Sequence, residues 1–295
     1  MGSSTTQIHA LSRLFSAGVF AELANKGRSP LFARLLSESE LHSEMPLDAK
    51  VVDVFEEAFA RLRNGKVRSE YIYRAAIVNN ILLGTHSLNS ASMLTEFRIG
   101  KSKADLVILN GTGTAYEIKS ERDNISRLAK QVSDYRKVFA STYVIAGSNH
   151  VESVSDVVPN STGILHLSRW NKISTIRRAK ETFEEIDNLQ VLDSLRSKEA
   201  VQILALLDRK IPSVPNTQLR SALSEEFSVL DKALLHRTMV KALKHSRSLL
   251  PLKTTVNSLP VSLRAAALTF KTPNRQHKAL IDALACPMVE ARAWN

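Results

Sequence analysis

Three ionisable side chains lie where a β-hairpin would otherwise be apolar. In the run ADLVILNGTGTAYEIKSERD, Asp105 opens one strand-like segment, and Glu117 and Lys119 sit two apart in the next. Asn110-Gly111-Thr112-Gly113 between them is a strong hairpin-turn signal. If the hairpin is centred on Gly111, residues whose numbers sum to 222 face each other, and Asp105 and Glu117 satisfy that sum. Alternation along the strand puts Glu117, Lys119 and Glu121 on one face, with Tyr116 and Ile118 on the other. Two carboxylates so placed repel unless a cation lies between them, and oxygen donors of this kind suit Mg²⁺ or Mn²⁺ rather than zinc. A lysine beside such an ion would orient an attacking water, help deprotonate it, or stabilise charge on a phosphate. The alternative for the same residues is a solvent-facing hairpin with a Glu–Lys pair of little energetic value.

The elements that must hold these residues are readable from periodicity. Residues 7 to 62 read as helical: one helix ends at the C-cap Gly27, another starts at Ser29-Pro30, and a third follows Asp48 and closes at Asn64-Gly65. A further helix runs from Ser69 to Gly84. The period then changes to two: SMLTEFRIG, ADLVILN and TAYEIKS read as strands. NISRLAKQVSDYRKVF reads as an amphipathic helix capped by Asp123 or Asn124, and STYVIAG and GILHLS as further strands. From Ile173 onward the chain reads as helical, interrupted at Pro212, Pro215, Pro251, Pro260 and Pro273. Three segments follow: N-terminal helices over 1–65, an α/β core over 66–170 and a helical, basic region over 171–295.

The helix–strand order with Asp, Glu and Lys on adjacent strands resembles the PD-(D/E)XK nuclease superfamily. The stretch from RSEYIYRAAIVNNILLG through YRKVF also resembles the sce7726 family, a bacterial and phage-borne group assigned to it. The resemblance covers roughly residues 66 to 150, and Ala104 stands where the superfamily often has proline. It implies a restriction-endonuclease-like αβββαβ core and a Mg²⁺- or Mn²⁺-dependent deoxyribonuclease in a phage, prophage or anti-phage defence setting. It further implies that Asp105, Glu117 and the Ile118 carbonyl hold the metal and that Lys119 acts on the water. An acidic residue before the sheet completes such sites, with Glu70 as the best match and Glu96 on the first strand as the other candidate. Gln131 and Tyr135 resemble the Q-x-x-x-Y motif of the RecB-like exonuclease branch, and at i and i+4 they share a helical face.

Charge points to a polyanionic partner. The net charge is +11, and no acidic residue lies between Asp231 and Asp282. That interval carries Lys232, Arg237, Lys241, Lys244, Arg247, Lys253, Arg264, Lys271, Arg275 and Lys278, which are expected to grip a nucleic-acid backbone without regard to sequence. A solvated basic face with no partner is the alternative. The single cysteine, Cys286, rules out an internal disulfide and points to a reducing, cytoplasmic compartment. No apolar run is long enough to span a bilayer. Gly2 and Thr6 match the loose myristoylation pattern, without a polybasic neighbour. Histidine and cysteine spacing offers no zinc site, and no phosphate-binding or dinucleotide loop appears. Trp170 is expected in the core and Trp294 in a disordered tail. DNA is the expected substrate and RNA an alternative, as are a non-catalytic nucleic-acid-binding protein and an RNA-cutting toxin. A concerted double-strand cut needs two active sites, which leaves a homodimer open.

Overall fold

The computed structural model describes residues 5–64, 68–168, 171–271 and 276–295. Gly2, Trp170 and Arg275 lie outside the described residues. Along the chain come α1 (Thr5–Leu14), α2 (Ala17–Lys26), α3 (Pro30–Glu38), the single turn α4 (Leu41–Glu44), α5 (Val51–Asn64) and α6 (Glu70–Ile77). α6 continues into a π-helical turn at Val78–Leu82. Then follow β1 (Ser92–Ile99), β2 (Ser102–Asn110), β3 (Thr112–Lys119), α7 (Leu128–Arg136), β4 (Ser141–Ala146), α8 (Val151–Val157), β5 (Gly163–Leu167) and β6 (Ile173–Arg177). The rest is helical: α9 (Asn188–Asp193), α10 (Ser197–Leu206), α11 (Asn216–Ser228), α12 (Lys232–Ser246), α13 (Lys253–Ser258), α14 (Val261–Phe270), α15 (His277–Ala285) and α16 (Met288–Ala291).

The strands form one mixed sheet of six in the order β1-β2-β3-β4-β5-β6. β1, β2 and β3 are an antiparallel meander, β3–β4 and β4–β5 are parallel, and β6 returns antiparallel to β5. The two parallel steps are bridged by α7 and α8, as parallel pairing requires a crossover. Val132 of α7 and Val154 of α8 pack with Val144 and Ala146 of β4 and Ile164 of β5. A larger core joins Val107, Leu109 and Ala115 of the sheet to Phe139 and to Leu204, Phe227 and Met239 of α10–α12. Each valine, leucine, isoleucine, phenylalanine or methionine among them contributes about 1.5–3 kcal/mol on full burial.

Two compact units result. One holds α1–α6 with α13–α16, and the other holds the sheet with α7–α12. These units do not follow the expected 1–65, 66–170 and 171–295. α10–α12 bury their apolar stripe in the core of the sheet unit, so the chain from Ile173 to Ser248 belongs to the sheet and the remainder to the helical unit.

Several local expectations change. The first helix is two: Ser16 is extended (φ −78, ψ 159), and the break lets Phe15 stack on Tyr71 at 4.3 Å between ring centroids. Gly27 at φ 68 caps α2, and Ser29 caps α3 through Phe32 N–H, as the sequence implies. α7 begins at Leu128 because Asp123 instead accepts from Ser120, and Asn124 closes a local turn with Ser126 N–H. Ile173–Arg177 is strand, not helix, fastened by Arg177 donating to the carbonyls of Thr162 and Pro159. Trp294 is not in a loose tail: its ring meets Phe32 at 5.8 Å.

Candidate functional site

The hairpin has the register its turn implies. β2 and β3 pair Leu106↔Tyr116, Val107↔Ala115, Ile108↔Thr114, Leu109↔Gly113 and Asn110↔Thr112 around Gly111 at φ 71. Asp105 and Glu117 come next in that register. The ladder stops there, because Ile118 N–H donates at 2.7 Å to Asp105 Oδ2 instead of to a main-chain carbonyl of β2. On the other side of β2, the pairs Thr95↔Leu106 and Phe97↔Ala104 set Glu96 opposite Asp105. Carboxylate oxygens of Glu96 and Asp105 lie within 4.8 Å of each other. Glu96, Asp105 and Glu117 thus form a row across three neighbouring strands. Glu96 holds φ 53 in mid-strand, a left-handed conformation that costs a non-glycine residue about 1–3 kcal/mol.

Glu117 is the centre of a buried polar network. Its Oε1 accepts from Lys119 Nζ at 2.8 Å and from Gln131 Nε2 at 2.6 Å. Its Oε2 lies 2.6 Å from the Tyr135 hydroxyl, which is also 2.9 Å from the Lys103 carbonyl. Gln131 Oε1 accepts in turn from Lys119 Nζ at 3.1 Å. The Lys119 and Glu117 side chains are only 9% and 3% exposed. Burial, followed by the nearby Glu117 charge, pushes the Tyr135 hydroxyl far above its ordinary pKa, so it remains a donor. α7 delivers both partners from one face, Gln131 and Tyr135 being one turn apart, while Val132 faces β4.

The sheet unit therefore brings together Glu96, Asp105, Ile118, Glu117, Lys119, Gln131 and Tyr135. Glu70 stands in the first turn of α6, in the helical unit, paired with Arg74. The basic interval is divided between the two units. α12 carries Arg237, Lys241, Lys244 and the adjoining Arg247 in the sheet unit, whereas Lys253, Arg264, Lys271 and Lys278 belong to the helical unit. Arg247 is spent on structure: it donates to both Glu199 oxygens at 2.6 and 2.7 Å and covers the Phe97 ring at 5.4 Å. Burial raises the Glu199 carboxyl, but the Arg247 hydrogen bonds outweigh it and leave the group below its usual value. Lys244 donates to the Ser90 carbonyl at 2.5 Å and Arg264 to that of Leu259 at 3.2 Å. Lys241, Lys253, Lys271 and Lys278 are exposed, and Arg237, also exposed, lies over Phe183 at 5.6 Å.

One buried residue of the sheet unit has no motif. His236 of α12 is fully buried and meets the hairpin turn, accepting at Nε2 from Gly113 N–H at 3.1 Å. Its Nδ1 lies 3.1 Å from the Val138 carbonyl, just past α7. Burial lowers its pKa to about 4, so the ring is neutral, with the proton on Nδ1.

A family profile described as Bacteriophage P4 protein cII matches residues 63–265. The chain belongs to that family. The match takes in α6, the whole sheet and α7–α13. Within the cII family, protein cII of Enterobacteria phage P4 is 28% identical over 86 residues, 28% of this chain and 33% of that protein. The aligned part therefore spans about a third of the length of that relative. No solved structure matches.

Proposed function

We propose that this cII-family protein is a metal-dependent nuclease of the PD-(D/E)XK type with a restriction-endonuclease-like core, hydrolysing phosphodiester bonds, DNA foremost. The observation that carries the reading is the hairpin register: Asp105 and Glu117 come opposite each other, and Lys119 follows on the same face. The chain order α6, β1, β2, β3, α7, β4 supports the same core. A family named for a phage protein supports a phage or prophage setting.

The donor set fits the metal this reading needs. Glu96, Asp105 and Glu117 offer carboxylate oxygen only, which matches Mg²⁺ or Mn²⁺. Bound there, such an ion would acidify a water and offset phosphate charge. The protein's own part is positional. Asp105 is fixed by the Ile118 N–H, which also pins the turn of chain that presents Glu117 and Lys119. Gln131 and Tyr135 hold the Glu117 carboxylate from the helix side. Lys119, anchored between Glu117 and Gln131, supplies a positive charge for a phosphate oxygen in the transition state or a donor that orients the water.

One observation favours a second reading, a nucleic-acid-binding protein without catalysis: both Glu117 oxygens are already satisfied by three donors, a self-sufficient arrangement. Purified protein incubated with plasmid and Mg²⁺ or Mn²⁺ separates the two. Cutting that Asp105→Ala abolishes supports the nuclease. Plasmid that is shifted on a gel yet left intact by wild type supports the binder. Single-stranded DNA and total RNA in parallel identify an RNA-cutting toxin.

A further inference from the structure

The turn between β1 and β2 carries a second row of charge beside the acidic one. Register sets Arg98 directly opposite Lys103, two residues further toward the turn than Glu96 and Asp105. Alternation puts all four side chains on one face, which the Glu96–Lys103 ion pair bears out. Lys101 occupies the two-residue turn with Gly100, whose φ of 56 suits that tight connection. Arg98, Lys101 and Lys103 are all exposed. Like charges directly opposite each other in an antiparallel pair destabilise it, so an Arg–Lys pair here is a cost to the sheet that an anion would relieve. Among the described residues Arg98 makes no ion pair of its own.

Spacing makes the anion specific. A step of two residues along a strand is about 7 Å, close to the separation of neighbouring phosphates on one nucleic-acid strand. The acidic row and the cationic row therefore match two consecutive phosphates, the first through a divalent ion and the second directly. We infer that Arg98, Lys101 and Lys103 bind the DNA phosphate next to the one offered to Asp105, making the β1–β2 turn the backbone clamp of the substrate strand. Which phosphate is cut rests on the nuclease reading, whereas the clamp itself does not. Lys103 exchanges its Glu96 partner for phosphate when the strand arrives.

Fluorescence anisotropy with a short labelled DNA duplex, and with the same sequence as RNA, tests the clamp across a salt series in EDTA and in Ca²⁺. Each lost phosphate contact lowers the slope of log K against log salt by about 0.9, so Arg98→Ala/Lys101→Ala, which loosens one phosphate, should flatten it by up to about that amount and weaken binding at least tenfold. Lys198→Ala/Arg209→Ala, exposed cations elsewhere in the sheet unit, should bind as wild type. Arg98→Gln should weaken DNA binding while leaving the melting temperature equal or higher, which a merely structural arginine would not do. Binding and slope unchanged in the Arg98/Lys101 variant overturn the clamp, as does wild type that binds RNA alone or no nucleic acid. Wild type that binds DNA through these residues but never cuts it overturns the nuclease reading and leaves the clamp standing. Wild type that cuts, with a clamp variant that binds equally well, does the reverse.

Discussion

The Tyr135 hydroxyl lies 2.6 Å from Glu117 Oε2, in a site where both side chains are buried. The contact joins α7 to β3 and fixes which way the carboxylate points. Tyr135→Phe removes the donor and leaves a buried oxygen unsatisfied, at a cost of about 1–3 kcal/mol in urea unfolding. On the nuclease account, cleavage falls further than stability explains, because Glu117 is no longer held from the helix side. Loss of stability with undiminished cleavage would show that the hydroxyl does not position the carboxylate.

The Lys119–Glu117 pair predicts strong non-additivity. Lys119→Met leaves a buried carboxylate without its cation and should cost about 3–5 kcal/mol, as should a variant that leaves the ammonium unpaired. Glu117→Gln/Lys119→Met removes both charges and should recover most of that loss. A double-mutant cycle by chemical denaturation reads the coupling; additive losses would mean that the two side chains do not form the pair.

His236 ties α12 to the hairpin turn and makes stability pH-dependent. Its folded pKa of about 4 lies below the ordinary 6.5, so the unfolded chain takes up the proton first. The contribution is complete above pH 6.5 and is lost as pH falls toward 4, about 3 kcal/mol in all. The charged neighbour bearing on the ring is Arg237, which also disfavours protonation. His236→Gln should be less stable at neutral pH and should lose about one proton's worth of slope in that window. Parallel stability curves for the two proteins would contradict the assignment.

Metal affinity should appear in thermal unfolding before any substrate is added. Mn²⁺ at about a hundred times its dissociation constant stabilises a single-site protein by about 2.7 kcal/mol. Asp105→Asn should abolish the shift and Glu96→Gln should reduce it. Glu70→Gln, measured alongside, tests the expectation that the helix supplies the third carboxylate. Equal shifts in wild type and Asp105→Asn would mean that the metal binds elsewhere.

Much of the sheet was legible because its signals are local. The Asn-Gly turn fixes a register, and the register alone brings Asp105 to Glu117; the i, i+4 spacing of Gln131 and Tyr135 likewise fixes a shared face. What the sequence hid is tertiary. Arg247 counts as one more surface cation until Glu199, 48 positions earlier, is seen to neutralise it. β6 is a short edge strand with three exposed central residues, so nothing in Ile173–Arg177 shows the alternation of a half-buried strand. The left-handed backbone at Glu96 has no glycine to announce it. His236 reads as one histidine in a basic run, and its role depends on a hairpin turn more than a hundred residues away.

On the nuclease reading, the Asp105–Glu117–Lys119 hairpin cuts a phosphodiester backbone. The most direct measurement is conversion of supercoiled plasmid by the purified wild-type chain in Mg²⁺ or Mn²⁺, beside Asp105→Ala and Lys119→Ala, with folding of all three checked by circular dichroism. The account requires metal-dependent nicking or degradation by wild type, abolished by EDTA and by either substitution. Intact plasmid with folded, DNA-binding wild-type protein, or cutting that survives both substitutions, would contradict it.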